Sequence, residues 1–231
     1  MAKTFKEVPL SEPLLSIDKL NLGYQGLPPL STISWIIQRG QKVVLLGKSG
    51  SGKSTLLDTL VRGSSAILCL TQRVAYLSQQ PALLPWLSAL DNVLLGFKLR
   101  GEKILTEHRE RARQLLSDVE LPHFESQKVH QLSGGERSRV AIARALIEDA
   151  DLVLLDEPFA ALDRSTKMQM STLCKQLLAD KTVILVTHDP RDGQDWFNEA
   201  MVLTPGGLKG PFDLDHFKND QALIQALDGD L

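Results

Sequence analysis

Cysteine is scarce in this chain. Cys69 and Cys174 are the only two in 231 residues, far apart and with neither a C-x-x-C spacing nor a Cys/His cluster nearby. That excludes a disulfide framework and fits two reduced thiols in a cytosolic protein. No apolar run approaches the roughly 18 residues of a membrane span, and the opening Met1-Ala2-Lys3-Thr4-Phe5-Lys6-Glu7 has no signal-peptide core. The expectation is a soluble, cytoplasmic chain whose link to any membrane runs through a partner. An excess of positive charge is missing too: the net charge is −2 and the pI near 6.2, against a general nucleic-acid binder. Internal repeats and low-complexity tracts are absent. What is present is apolar content of 43%, enough for a full core in one large domain, with or without an inserted subdomain.

The most informative stretch is Gly47-Lys48-Ser49-Gly50-Ser51-Gly52-Lys53-Ser54-Thr55. The apolar run Lys42 to Leu46 precedes it and the helix-like Leu56-Leu57-Asp58-Thr59-Leu60 follows, which is the strand–loop–helix setting of a G-x-x-x-x-G-K-[ST] phosphate loop. Its glycines let the backbone bend so that successive N–H groups point at an anion, and the helix N-terminus adds its dipole. Lys53 is placed to reach the β- and γ-phosphates and Ser54 to ligate Mg²⁺. A nucleoside triphosphate is the expected ligand.

Elsewhere, alternation predicts a strand from Leu14 to Tyr24, where Tyr24 either ends the strand or stacks on an adenine ring. A second strand is predicted from Ile33 to Ile37, and a strand pair over Ala66 to Leu70 and Arg73 to Ser78. Helices are predicted from Leu90 to Phe97, capped by Asp91 or Ser88, and from Thr106 to Val119, with Leu105, Ala112, Leu115, Leu116 and Val119 on its apolar face. Leu132-Ser133-Gly134-Gly135-Glu136 opens another helix running to Leu146, with Ser133 and Glu136 spaced as a capping box. A buried strand from Asp151 to Leu155 stops at Asp156-Glu157-Pro158. A helix over Arg164 to Leu178 follows, then a strand from Thr182 to Val186 that stops at Thr187-His188. Acids and a histidine at strand ends lie on the carboxyl edge of the sheet, where open α/β sheets bind ligands. The last thirty residues are read as one strand, Ala200 to Thr204, a Pro205-Gly206-Gly207 turn and an amphipathic tail helix near Asp213 to Leu227.

Taken together, the phosphate loop, the run Leu132 to Glu136 followed by Arg139 to Leu146, Leu152 to Glu157, Ala161-Leu162-Asp163 and His188 resemble the ATP-binding cassette family over roughly residues 14–205. The resemblance implies an α/β P-loop NTPase core with a mixed sheet, an antiparallel β subdomain and an inserted helical subdomain. The core is assigned to residues 14–80 and 150–231, the helical subdomain to 81–149, and residues 1–13 to a leader. Lys53 to Gln79 spans fewer positions than in most of the family, so the β subdomain is expected to be trimmed.

The resemblance also assigns roles. Tyr24 matches the adenine-stacking aromatic and Gly47 to Thr55 the loop that binds ATP. Gln79 contacts Mg²⁺ and the attacking water, Asp156 holds Mg²⁺ through water, and Glu157 polarises the attacking water. His188 meets the γ-phosphate. Ser133-Gly134-Gly135, with Glu136 closing the motif, contacts the ATP of a second copy in a head-to-tail dimer, and Asp163 closes the loop beside it. Two departures are Ser138 where the family usually has Gln, and a segment after His188 that lacks the usual Glu-Ala pair.

Gln79 to Trp86 looks like import ATPases for nitrate, sulfonates and taurine. The expected partners are a membrane permease, a second copy of the chain and a solute-binding protein. That places the chain on the inner face of the cell membrane, with Trp86 either facing the permease or packed within the helical subdomain. A soluble cassette acting on nucleic acid or ribosomes is the alternative. It usually brings tandem cassettes, coiled-coil insertions or zinc sites, none of which occurs here.

Overall fold

The computed structural model describes residues 13–23, 31–71, 73–80, 82–188, 192, 196–197 and 199–214. Tyr24, the leader up to residue 12 and nearly all of the expected tail helix lie outside the described residues.

Strands β1 (Pro13–Leu22) and β2 (Ser31–Gln38) pair antiparallel. Burial in β2 alternates residue by residue, with Ile33, Trp35 and Ile37 inside, as a sheet covered on one face requires. Strand β3 (Lys42–Leu46) is of the other kind: Val43 to Leu46 are wholly buried, and the chain passes from it through the phosphate loop into α1 (Lys53–Arg62).

The next two strands, β4 (Ile67–Cys69) and β5 (Val74–Leu77), do not pair with each other as expected. β4 adds to β1 in a three-stranded antiparallel sheet of order β2-β1-β4, while β5 becomes the edge of a six-stranded sheet. The link from Leu70 to Arg73 carries neither the Gly nor the Asn that a tight hairpin turn needs, so the two strands part and join different layers.

Four α-helices occupy residues 89–146: α2 (Ala89–Val93), α3 (Leu95–Leu99), α4 (Thr106–Asp118) and α5 (Gly134–Leu146), with a short 3-10 turn at Val129–Gln131. The single helix expected from Leu90 to Phe97 is broken at Leu94, whose ψ of 2° leaves helical geometry. Ser88 is its cap, accepting from the Asp91 N–H, while the Asp91 carboxylate takes the Ser88 hydroxyl and Lys98. In α4, Ala112, Leu115 and Leu116 point inward, but Leu105, at its N-cap, is 42% exposed, so the buried face begins about two turns later than expected.

The remaining elements are β6 (Leu152–Asp156), α6 (Arg164–Leu177), β7 (Thr182–Val186), β8 (Glu199–Thr204) and β9 (Gly207–Asp213). The larger sheet runs β5-β6-β7-β3-β8-β9; β9 alone pairs antiparallel. β9 was not expected, because Gly210-Pro211 spoils its strand pattern; an edge strand tolerates both residues. Because β7 lies between β6 and β3, three parallel strands end side by side, and their carboxyl ends carry the phosphate loop, the paired acids and His188.

Candidate active site

At the phosphate loop, Gly50 (φ 79°) and Gly52 (φ 100°) adopt left-handed conformations that a side chain would strain. A Cβ on Gly47 would fall 2.6 Å from the Leu203 carbonyl oxygen, so only glycine lets the loop leave β3 beside β8. The loop closes on Lys53, whose Nζ donates to the carbonyls of Gly47 (2.7 Å) and Lys48 (2.9 Å). Lys53 is 8% exposed. Burial pushes its pKa down from the usual lysine value, against the pull of Glu157 and Asp156. Among the described residues the buried Ser51 hydroxyl has no hydrogen-bond partner, a polar group left for a ligand to satisfy.

Strand β6 delivers Asp156, 2% exposed, and then Glu157. Burial raises the pKa of Asp156 above the usual carboxylate range; a hydrogen bond from Ser54 opposes this, Glu157 adds to it and Lys53 opposes it. Glu157 stands at φ 46°, a left-handed conformation uncommon for a non-glycine residue. Its N–H donates to the Val186 carbonyl at 2.9 Å, so the turn off β6 is held by β7. That twist directs the carboxylate toward two other loops: Gln79 Nε2 lies 3.5 Å and His188 Nδ1 3.4 Å from Glu157 Oε2. A cleft of about 290 Å³ opens beside them, lined by Gln79, Gln80, Ser138, Glu157 and Ala161 among others.

The helix start at α5 is the capping box foreseen in the sequence. The Glu136 N–H donates to Ser133 Oγ (3.3 Å), and the Ser133 N–H to Glu136 Oε2 (2.7 Å). These bonds hold the Glu136 carboxyl below the usual carboxylate range. A Cβ on Gly134 would meet nothing within 4 Å. Asp163 caps α6, accepting from the N–H groups of Ser165 and Thr166 and from the Thr166 hydroxyl (2.6 Å). The structure therefore brings Lys53, Ser54, Gln79, Asp156, Glu157 and His188 together. No hydrogen bond among the described residues joins Ser133–Glu136 to Lys53, Asp156 or Glu157.

Two contacts had no signal in the sequence. Arg144 of α5 donates to the Ala82 carbonyl at 2.9 Å, tying the helix to the loop after Gln79. The loop around Trp86 is paired with the segment before Ser133: the Pro85 carbonyl accepts the His130 N–H (3.2 Å) and lies 2.9 Å from its Nδ1, and the Val129 N–H donates to the Leu87 carbonyl. Trp86 itself is 65% exposed, so it is not packed inside the helical layer.

A buried lysine at a glycine loop, a buried aspartate bonded to the loop serine, and a glutamate met by a glutamine and a histidine define a nucleoside-triphosphate hydrolase site. The family model for the ABC transporter matches residues 30–160, and the chain belongs to that family, as an ATPase of it. An uncharacterized ABC transporter ATP-binding protein of Haemophilus influenzae is 40% identical over 82% of this chain and 82% of its own length. The taurine import ATP-binding protein TauB of Escherichia coli O157:H7 is 39% identical over 84% of this chain and 80% of its own. The aliphatic sulfonates import ATP-binding protein SsuB 2 of Mesorhizobium japonicum is 38% identical over 88% of this chain and 82% of its own. Among solved structures, the dimeric ATP-binding cassette MJ0796 in a post-hydrolysis state bound to ADP and Pi aligns with a TM-score of 0.76 and 28% identity. It covers 87% of this chain and 98% of that one. Among the described residues no helix is long and apolar enough to cross a membrane.

Proposed function

We propose that the chain is the ATP-hydrolysing subunit of a membrane importer for a small solute, working as a head-to-tail pair in which each ATP lies between two copies. The observation that carries the hydrolytic part is the Glu157 carboxylate, locked off-strand by its bond to β7 and met there by Gln79 and His188; the relatives named for import and the dimeric cassette support the rest. Phosphoryl transfer asks little covalent chemistry of a protein; it asks for positioned water and neutralised charge. Glu157 and Gln79 orient and polarise the water, Lys53 and His188 face the phosphates, and the N–H groups of the loop and of α1 cradle them. Tyr24 stacks on the adenine by resemblance alone. From the second copy, Ser133, Gly134 and Gly135 close the site, beside Asp163.

The donor set fits Mg²⁺. Ser54 and Asp156 are hard oxygen donors already hydrogen-bonded to each other, and no group of three His, Cys, Asp or Glu forms a dedicated cage among the described residues. Mg²⁺ characteristically takes one or two protein oxygens and completes its shell with phosphate and water. When bound, it neutralises charge on the β- and γ-phosphate oxygens. Turnover by the purified chain that is lost on chelation and restored by Mg²⁺ is the expected result; turnover indifferent to chelation would overturn the assignment of Ser54 and Asp156.

The relatives named for taurine and sulfonate import support a permease partner and a peripheral place on the inner face of the membrane. The exposed Trp86 is the surface feature suited to a permease helix, and a solute-binding protein completes such a system. The alternative of a nucleic-acid or ribosome ATPase finds no counterpart in those relatives, and the net charge of −2 opposes it.

A further inference from the structure

A joint behind His188 is left unused by the nucleotide chemistry. Lys167 lies one turn past the Asp163 cap on α6 and forms an ion pair with Asp192 Oδ1. The other oxygen, Asp192 Oδ2, accepts the Thr187 hydroxyl at 2.7 Å. Thr187 is 1% exposed and directly precedes His188. The Asp192 side chain is 10% exposed, so this carboxylate has little water to fall back on, and losing either partner leaves it poorly compensated. Asp192 thus occupies part of the segment after His188 where the family's Glu-Ala pair is missing.

The two ends of the joint differ in stiffness. On one side, the first turn of α6 is a rigid unit: Asp163 accepts from Ser165 and Thr166, and the Lys167 N–H donates to the Asp163 carbonyl at 2.8 Å. On the other side, the His188 side chain is 70% exposed and meets Glu157 at 3.4 Å, and the backbone beneath it is held by the Thr187 N–H on the Leu45 carbonyl (3.4 Å) as well as by the Thr187 hydroxyl on Asp192. We infer that Lys167, Asp192 and Thr187 are positioning residues that make the placement of His188 follow the N-terminus of α6. A displacement at Asp163 passes through one helical turn into Asp192 and from there into Thr187, a local two-ended linkage of the kind that couples sites. The inference rests on the proposed role of His188 at the reacting phosphate. In the proposed arrangement Lys167, Asp192 and Thr187 act on the nucleotide only through the histidine.

A double-mutant cycle tests this. Thr187→Val keeps the side-chain shape and removes the hydroxyl, while Lys167→Met keeps most of the aliphatic stem and removes the charge. Each is made alone and together with His188→Ala, and kcat and KM for MgATP are measured, by single-turnover hydrolysis where steady-state turnover is too slow. Each single variant should lower kcat about tenfold with KM within about twofold, and should cost less than about twofold more in the His188→Ala background. The same fold loss in both backgrounds, or no loss from either variant alone, overturns the inference and shows a joint that merely stabilises the fold. If Lys167→Met does not fold, Thr187→Val decides. If His188→Ala leaves turnover unchanged, the proposed role of His188 fails first and takes the inference with it; a large His188→Ala loss with additive partners sinks the inference alone.

Discussion

At the phosphate loop, Lys53 is 8% exposed and bonded to two loop carbonyls, and Asp156 is 2% exposed and bonded to Ser54. At the N-terminus of α5, Ser133 and Gly134 face solvent, and the capping box satisfies the Glu136 N–H while leaving the Gly134 and Gly135 N–H groups directed out of the helix. One half encloses its charges at a cost; the other is a self-sufficient helix start whose first N–H groups are open to solvent. The first half is organised within a single chain. The second is complete as a helix start and open to solvent; in the proposed head-to-tail pair, a second copy's ATP would be brought to it.

The largest expected effect separates the halves outright. Lys53→Ala removes the charge on which the loop closes, and turnover should fall by about 10²–10³ or more, as for loss of a central charge-stabilising donor; phosphate release near wild type would mean the loop is not the phosphate site. Glu157→Gln keeps the size of the side chain and removes the charge proposed to polarise water. Hydrolysis should fall by a similar factor of about 10²–10³, while ATP should now trap a dimer visible by size-exclusion chromatography. A variant that stays monomeric with ATP would leave the α5 half without its proposed ligand.

A smaller effect measures what enclosure costs. The folded chain holds the Asp156 proton more tightly than the unfolded chain does, because burial raises its pKa. The stability tied to that group is therefore whole below the ordinary carboxylate value of about 4, and is lost as pH rises through the raised folded value. Without Mg²⁺ at neutral pH, Asp156→Asn should melt higher than the wild type, by about 2–4 °C for each kcal/mol relieved. The gap should close toward pH 4; a gap that widens on acidification would contradict burial as the cause. Least of all should Trp86→Ala disturb either half. With its ring 65% exposed, basal turnover and melting should hold while stimulation by a reconstituted permease weakens, and loss of folding would instead place Trp86 in the core.

Much of this was readable from local pattern. The strand Thr182–Val186 and the Ser133–Glu136 box follow from burial runs and cap spacing confined to a few residues. What escaped depends on neighbours far along the chain. Nothing local says that β4 pairs with β1 while β5 pairs with β6, or that Gly210-Pro211 is tolerated at a sheet edge. The left-handed Glu157 was equally hidden: a residue before proline is ordinarily extended, and it is the bond to Val186 on β7 that holds it otherwise. The Lys167–Asp192–Thr187 joint and the Arg144–Ala82 bond likewise exist only once the layers are assembled.

The shared site is tested most directly by mixing two inactive variants. Lys53→Ala disables the enclosed half. Gly134→Glu disables the open half, because an acid in the first turn suits the helix dipole and meets no neighbour within 4 Å, yet repels a partner's triphosphate. A head-to-tail pair made from one copy of each contains one site with both defects and one with none, so the mixture should regain turnover that neither variant has alone. A mixture as inactive as its components would contradict the shared site.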